Sequence, residues 1–274
     1  MHHLLRTVAL VAFLGRCTTT ELQSYEYVTT IYNENNTFVC FGAVVTTTWI
    51  VSLATCYGRS WTDSTSIPYH ARLGVKRQHA AKIEKIFAHP LYDQTKYSTK
   101  DLAVLRIKDV GPYMRSENIA SISVIANSYP WKLKECTLIG TRSQNSSGKD
   151  ISTIKVMTTN YRNCERKLSL TGHNRKRKSY FCSMSPPRTR GPCNGKYGGL
   201  VECDNMLVGL LASENICDHE FLREYVNIGY YFKWMHSRVP AIETRITTIN
   251  DATYLRPPLF SHILLYIFAN NYLY

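Results

Sequence analysis

The chain has 274 residues, room for one large domain or two small ones, and its 44% hydrophobic and 19% charged residues exclude a wholly disordered or collagen-like chain. No apolar run is long enough to make a polytopic membrane protein. Lys and Arg total 33 against 20 Asp and Glu, and the formal charge of +13 favours an anionic partner (glycan, acidic protein, phospholipid or nucleic acid) without choosing among them.

The first residues, Met1-His2-His3-Leu4-Leu5-Arg6 followed by an apolar run to Leu14, have the pattern of a secretory signal peptide. Gly15 and Cys17 stand at the −3 and −1 positions of a cut after Cys17, giving a signal over 1–17. Short runs rich in β-branched and aromatic residues then predict strands at 27–32, 38–45, 49–53, 102–107, 151–157 and 207–211, separated by polar turns at all-β spacing. Helical periodicity emerges over 229–238, with Tyr230, Trp234 and Met235 on the apolar side. Beyond, 240–274 reads as a tail: Arg256-Pro257-Pro258 breaks structure and 259–269 is largely apolar. Either the tail is loose or docked, or it is a lipid-anchor signal near Asn250-Asp251-Ala252 with a short spacer. Membrane association is expected only in the second case.

Nine cysteines stand at 17, 40, 56, 136, 164, 182, 193, 203 and 217. Removing Cys17 with the signal leaves an even set, suited to disulfides in an oxidising, extracellular compartment. No C-x₂-C pair and no histidine pair at ligand spacing accompanies them, so no metal or cofactor is expected.

Three ordered strings carry more specific information. The first runs Cys40-Phe41-Gly42-Ala43-Val44-Val45 to Trp49-Ile50-Val51-Ser52-Leu53-Ala54-Thr55-Cys56. The second is His89-Pro90-Leu91-Tyr92 with Lys100-Asp101-Leu102-Ala103-Val104-Leu105, and the third Cys193-Asn194-Gly195-Lys196-Tyr197-Gly198-Gly199-Leu200. Together they resemble the histidine, aspartate and serine segments of trypsin/chymotrypsin-like serine proteases, over most of a domain placed at 21–239. The resemblance implies an all-β fold of two six-stranded antiparallel β-barrels packed face to face and closed by a C-terminal helix. It also implies the disulfides Cys40–Cys56, Cys136–Cys203, Cys164–Cys182 and Cys193–Cys217, each contributing ~2–4 kcal/mol.

Acyl transfer in that family needs an attacking serine, an imidazole base and an orienting carboxylate. By the resemblance the carboxylate position is Asp101, but the histidine position is Thr55 and the nucleophile position is Tyr197. A threonine hydroxyl is no base near neutral pH, and a phenol of pKa about 10 is a poor, bulky nucleophile. His70, His79 and His89 are nearest in sequence to the missing imidazole, and His89 belongs to the His-Pro pair. Two further departures agree. The Asp that would accept a new N-terminal amine is Lys196, whose cation would repel it. Between Thr18 and Tyr25 there is no Ile-Val-Gly-Gly and no Arg or Lys cut site. The pocket-equivalent positions are also altered: Gly191 at the base, Ala212-Ser213-Glu214 for Ser-Trp-Gly, and Arg223-Glu224-Tyr225 for Gly-Val-Tyr. An Arg at 223 fills that pocket or turns it positive. Asp101 is expected to serve the fold by accepting hydrogen bonds, and Gly195, Gly198 and Gly199 to meet backbone needs.

The candidate anion-binding residues are Arg175, Lys176, Arg177 and Lys178, suited to sulfated glycan or an acidic protein face, with a solvated loop as the alternative. No aromatic stacking motif accompanies the run, so nucleic acid is not expected. Asn35 and Asn145 head glycosylation sequons. The expectation is a secreted, catalytically inactive serine protease homologue of arthropod type. It would bind extracellular proteins as cofactor, decoy or adaptor for proteases in immune or reproductive fluid. A residually active endopeptidase and a glycan-binding module are the alternatives.

Overall fold

The computed structural model describes residues 25–58, 67–74, 78–93, 100–127, 134–141, 151–160, 178–184, 198–212 and 222–245. The first six strands are β1 (Val28–Asn33), β2 (Phe38–Thr46), β3 (Trp49–Ser52), β4 (Tyr69–Leu73), β5 (His79–Ala88) and β6 (Ala103–Ile107). They close into a barrel in the order β1-β2-β3-β6-β5-β4, every neighbouring pair antiparallel. Ile31, Phe41, Val51, Leu73, Ile83 and Leu105 are among the side chains that fill it. Charged residues can occupy β5 because its side chains alternate: Ala81 and Ile83 turn inward while Lys82 and Glu84 face solvent. A bulge between Ile83 and Lys85 then leaves Glu84 and Lys85 both outside.

The second half holds β7 (Ser123–Ile125), β8 (Lys134–Thr141), β9 (Ile151–Asn160), β10 (Tyr180–Met184), β11 (Leu200–Cys203), β12 (Met206–Leu211), β13 (Leu222–Asn227) and β14 (Thr244–Arg245). The run β11-β8-β9-β10-β13-β12 closes on itself through β11–β12 pairing, giving the second antiparallel six-stranded barrel. Asp204 and Asn205, both at positive φ, make the two-residue turn that joins β11 to β12. Parallel to β12 lies β7, and parallel to β7 lies β14. The sheet therefore reaches Arg245, past the 239/240 division drawn from sequence, and Ile242 is buried on the way.

Helix α1 (Ile228–Arg238) follows β13 without a break and buries Ile228, Tyr231 and Met235, while Tyr230 is 37% exposed. Met235 is buried and Trp234 partly buried as expected, but the exposed Tyr230 departs from the expected apolar face. The cause is tertiary. A Cβ on Gly229 would stand 1.9 Å from the Asn127 carbonyl oxygen, so the first turn is pressed against that chain and its rotation is fixed there. Among the described residues, no helix is long and apolar enough to cross a membrane.

Disulfides join Cys40 to Cys56 and Cys136 to Cys203, as the resemblance implied. Cys182 is also disulfide-bonded. Cys164, Cys193 and Cys217 lie outside the described residues, as do 1–24 and 246–274 with their signal and anchor readings. The barrels are tied by main-chain bonds from Ile122 N–H to the Val44 carbonyl (2.9 Å) and from Ala120 N–H to the Glu26 carbonyl (3.3 Å). They are tied also by the Tyr27 hydroxyl, which donates to the buried Glu202 carboxylate on β11.

Candidate functional site

The site grows from the end of β3. Ser52 closes the strand, and its hydroxyl donates to the Phe41 carbonyl at 2.8 Å. The chain then tightens into a 3₁₀ turn, Ala54–Tyr57. That turn is held by its last two residues. The Cys40–Cys56 disulfide anchors it to β2, and the Tyr57 hydroxyl donates to Ser52 Oγ at 2.9 Å from a fully buried ring. Burial raises the Tyr57 phenol far above its ordinary range, so it stays protonated and serves as a donor. The Tyr69 ring meets Tyr57 edge-on at 5.3 Å.

Thr55 is presented from the middle of this turn and is partly exposed. Asp101 reaches it from the start of the chain into β6, just after Lys100 at φ 66°. Asp101 is 0% exposed, and its Oδ1 accepts the Thr55 backbone N–H at 2.7 Å. A buried carboxylate holding a main-chain N–H is a charge-assisted bond, and here it fixes the turn.

The nucleophile-equivalent segment arrives from the other barrel. Gly198 stands at φ 98°, and its N–H donates to the Leu211 carbonyl at 3.0 Å. An added Cβ would lie 2.8 Å from Cys40 Sγ and 2.9 Å from the Phe41 carbonyl oxygen. Glycine is required twice over, by the dihedral and by the contact. Gly199 is crowded too, with a Cβ 3.2 Å from the Ile139 carbonyl oxygen. The chain one residue beyond Tyr197 is thus pressed on the same Cys40–Phe41 pair that anchors the Thr55 turn. Tyr197, Gly195 and Lys196 themselves lie outside the described residues.

On the pocket side, Ala212 is buried and its N–H donates to the Glu224 carbonyl at 2.9 Å. Arg223 and Glu224 are both buried on β13, opposite Ser183 and Cys182 of β10. The Tyr225 hydroxyl and Ser183 Oγ are 2.7 Å apart. Burial pushes the Tyr225 phenol up to about 12, against lowering by the Ser183 hydrogen bond and the Arg223 charge. Strand β13 therefore carries a buried guanidinium beside a buried hydroxyl pair. Gly191, Ser213 and Glu214 lie outside the described residues.

The described histidines make ring contacts with aromatic side chains. His70 stacks on Tyr32, His79 meets Tyr113, and His236 meets Phe232. His89 lies against Trp234 and Tyr231 of α1, and its Nδ1 accepts the Leu91 N–H at 3.2 Å. Burial, with help from Lys100, lowers its pKa to about 4 and keeps it neutral.

Of the anion-binding candidates, Lys178 is exposed, while Arg175, Lys176 and Arg177 lie outside the described residues. Asn35 is exposed at the tip of the β1–β2 hairpin, and Asn145 lies outside. Sequence reasoning missed the Tyr27–Glu202 link and the Tyr57–Ser52 relay, because no local pattern marks a polar pair split across distant strands.

A family model described as Trypsin matches residues 16–235. Among solved structures, HL collagenase is similar with a TM-score of 0.65 at 17% identity, over 79% of this chain and 94% of that one. Kallikrein-related peptidase 10 gives a TM-score of 0.61 at 17% identity, over 79% and 96%. Neuropsin, a serine protease expressed in the limbic system of mouse brain, gives 0.61 at 18% identity, over 78% and 95%. At such identities the likeness is one of fold.

Proposed function

The chain belongs to the trypsin family, and on that premise we propose that it is a secreted, non-catalytic member that acts by binding extracellular proteins. The observation that carries this reading is the pair at the head of the cleft. Asp101 is in place and buried, but the residue whose N–H it holds is Thr55. In the triad mechanism that carboxylate orients an imidazole and stabilises its protonated form. A threonine offers no ring to orient and no group that takes a proton near neutral pH. The carboxylate makes a main-chain bond that stabilises the turn.

The sequence supports the same reading from the opposite barrel. Tyr197 replaces the attacking hydroxymethyl group, and Lys196 replaces the acid that receives a processed N-terminus. Each loss alone removes most of the rate, and the losses together leave no stepwise route to an acyl intermediate. What the family scaffold retains is a rigid, disulfide-braced cleft, here with a buried guanidinium on β13. Such a cleft holds extended chain without cutting it, which suits a cofactor, decoy or adaptor for active proteases or their substrates.

The test is a paired measurement on the secreted full chain. Turnover of a fluorogenic peptide library that samples every residue before the reporter is expected to stay at the level of buffer. Capture from the native secretion, read by mass spectrometry, is expected to recover proteases or protease substrates. Library turnover that copurifies with the chain and disappears on substituting Asp101 would overturn the reading.

A further inference from the structure

The barrel of β1–β6 carries a feature that the cleft does not use. On its outer face, Lys82, Lys85, Arg106 and Lys108 are exposed, and Arg72 is partly so. The pairing register brings these cations together. Lys85 stands directly opposite Arg106, Lys82 opposite His70, and Arg72 opposite Ala80. Neighbouring strands lie about 4.8 Å apart, and same-face residues recur about every 6.7 Å along a strand. The cationic stems are therefore separated by roughly 5–10 Å across three adjacent strands.

Carboxylates do little to offset this. Glu84 is the one acid within β4, β5 and β6, and it contacts Arg106 at 3.7 Å from a half-exposed position. Asp109, next in the chain, is turned to its own loop, where it accepts the Gly111 N–H at 2.9 Å. Arg72 is braced, with its guanidinium 4.7 Å over the Tyr32 ring and Nη2 donating to Asn36 at 3.2 Å. Like charges placed directly across a strand pair destabilise a sheet, so folding gives no reason for Lys85 opposite Arg106. The bulge at Ile83/Lys85 turns Lys85 outward beside Glu84 rather than into the barrel.

We propose that the outer face of β4, β5 and β6 is a binding surface for a linear sulfated glycan, with Lys82, Lys85 and Arg106 at its centre and Arg72 and Lys108 at its margins. The face is extended and pleated, so it accepts a chain of closely spaced anions along its length. The outward aromatics at its edge, Phe87 on β5 and Trp49 opposite Arg106, are partly buried and pack on one another at 5.8 Å between ring centroids, with the Arg238 guanidinium over Phe87. Paired in this way they serve the packing of the fold rather than standing as an isolated apolar anchor or a stacking platform for bases. The surface lies apart from the Thr55–Asp101 pair and operates whether or not the cleft is catalytic. It uses none of the residues of the basic run 175–178.

The test uses the secreted chain, a heparin column and a fluorescent heparin oligosaccharide of defined length. The wild type is expected to be retained, to elute earlier as salt screens the contact, and to ignore the desulfated oligosaccharide. The variant K82Q/K85Q/R106Q, with changes confined to exposed side chains, is expected to bind about tenfold or more weakly. Glu84→Gln removes the opposing carboxylate and is expected to bind more tightly, a gain that misfolding cannot imitate. The proposal is overturned if the triple variant binds like wild type while R175Q/K176Q/R177Q/K178Q loses binding. Equal affinity for desulfated glycan, or equal or tighter binding of single-stranded DNA of matched charge, also overturns it.

Discussion

The Asp101 carboxylate and the Thr55 main chain are joined by a 2.7 Å hydrogen bond between the loop that leads into β6 and the turn that ends β3. This bond gives the carboxylate a structural task that needs no imidazole. Removing its charge should therefore be visible in stability. Asp101→Asn is expected to lower the unfolding free energy by ~1–3 kcal/mol, the range for a buried charged hydrogen bond. Chemical denaturation of the full chain reads this directly. An unchanged midpoint would mean that the bond does not brace the turn.

Gly198 bears on the same place from the second barrel. Gly198→Ala asks for a Cβ at φ 98°, 2.8 Å from Cys40 Sγ. The dihedral costs about 1–2 kcal/mol and the overlap about 1–3 kcal/mol more. The melting temperature is expected to fall accordingly, and faster reduction of Cys40–Cys56 should accompany it. A variant as stable as wild type would show that the segment is not pressed on β2.

Tyr27 and Glu202 link the barrels through buried side chains. Tyr27→Phe keeps the ring and removes the donor, so the carboxylate loses a bond at a cost of ~1–3 kcal/mol. Glu202→Gln keeps an acceptor and is expected to cost less. Equal losses from the two variants in urea unfolding would contradict the assigned donor and acceptor.

His89 supplies a pH signature. Its ordinary pKa is 6.5, and burial lowers it to about 4 in the folded chain. Between those values the unfolded state binds more protons, so this contribution is full above about 6.5 and is lost as pH falls toward 4. His89→Phe keeps an aromatic ring against Trp234 and Tyr231 and is expected to flatten that part of the stability profile. Parallel profiles for variant and wild type from pH 7 to 4 would exclude the assignment.

Much of the barrel architecture was legible because inward and outward side chains alternate. The runs around Ile31, Phe41, Ile50, Val104, Ile154 and Leu207 lie in β1, β2, β3, β6, β9 and β12. Strand β5 was harder, since its outward Lys82, Glu84 and Lys85, two of them consecutive at a bulge, dilute the apolar signal. The buried face of α1 was misjudged at Tyr230, because Tyr230, Tyr231, Phe232 and Trp234 leave the helix apolar almost all round. Its rotation is set by Gly229 against Asn127, a contact no local pattern encodes. Thr55 and Asp101 could be paired only through family spacing, as 46 residues separate them. The exposed cations of β4, β5 and β6 are scattered in sequence and become one surface only through strand register.

The most direct test of the non-catalytic reading is labelling with a serine-directed fluorophosphonate, read by intact mass. The purified chain, with a known trypsin-family protease alongside as a positive control, is expected to show no added mass after prolonged exposure at neutral pH. A stoichiometric adduct that maps to the segment around Tyr197, and that is lost when that segment is altered, would contradict it.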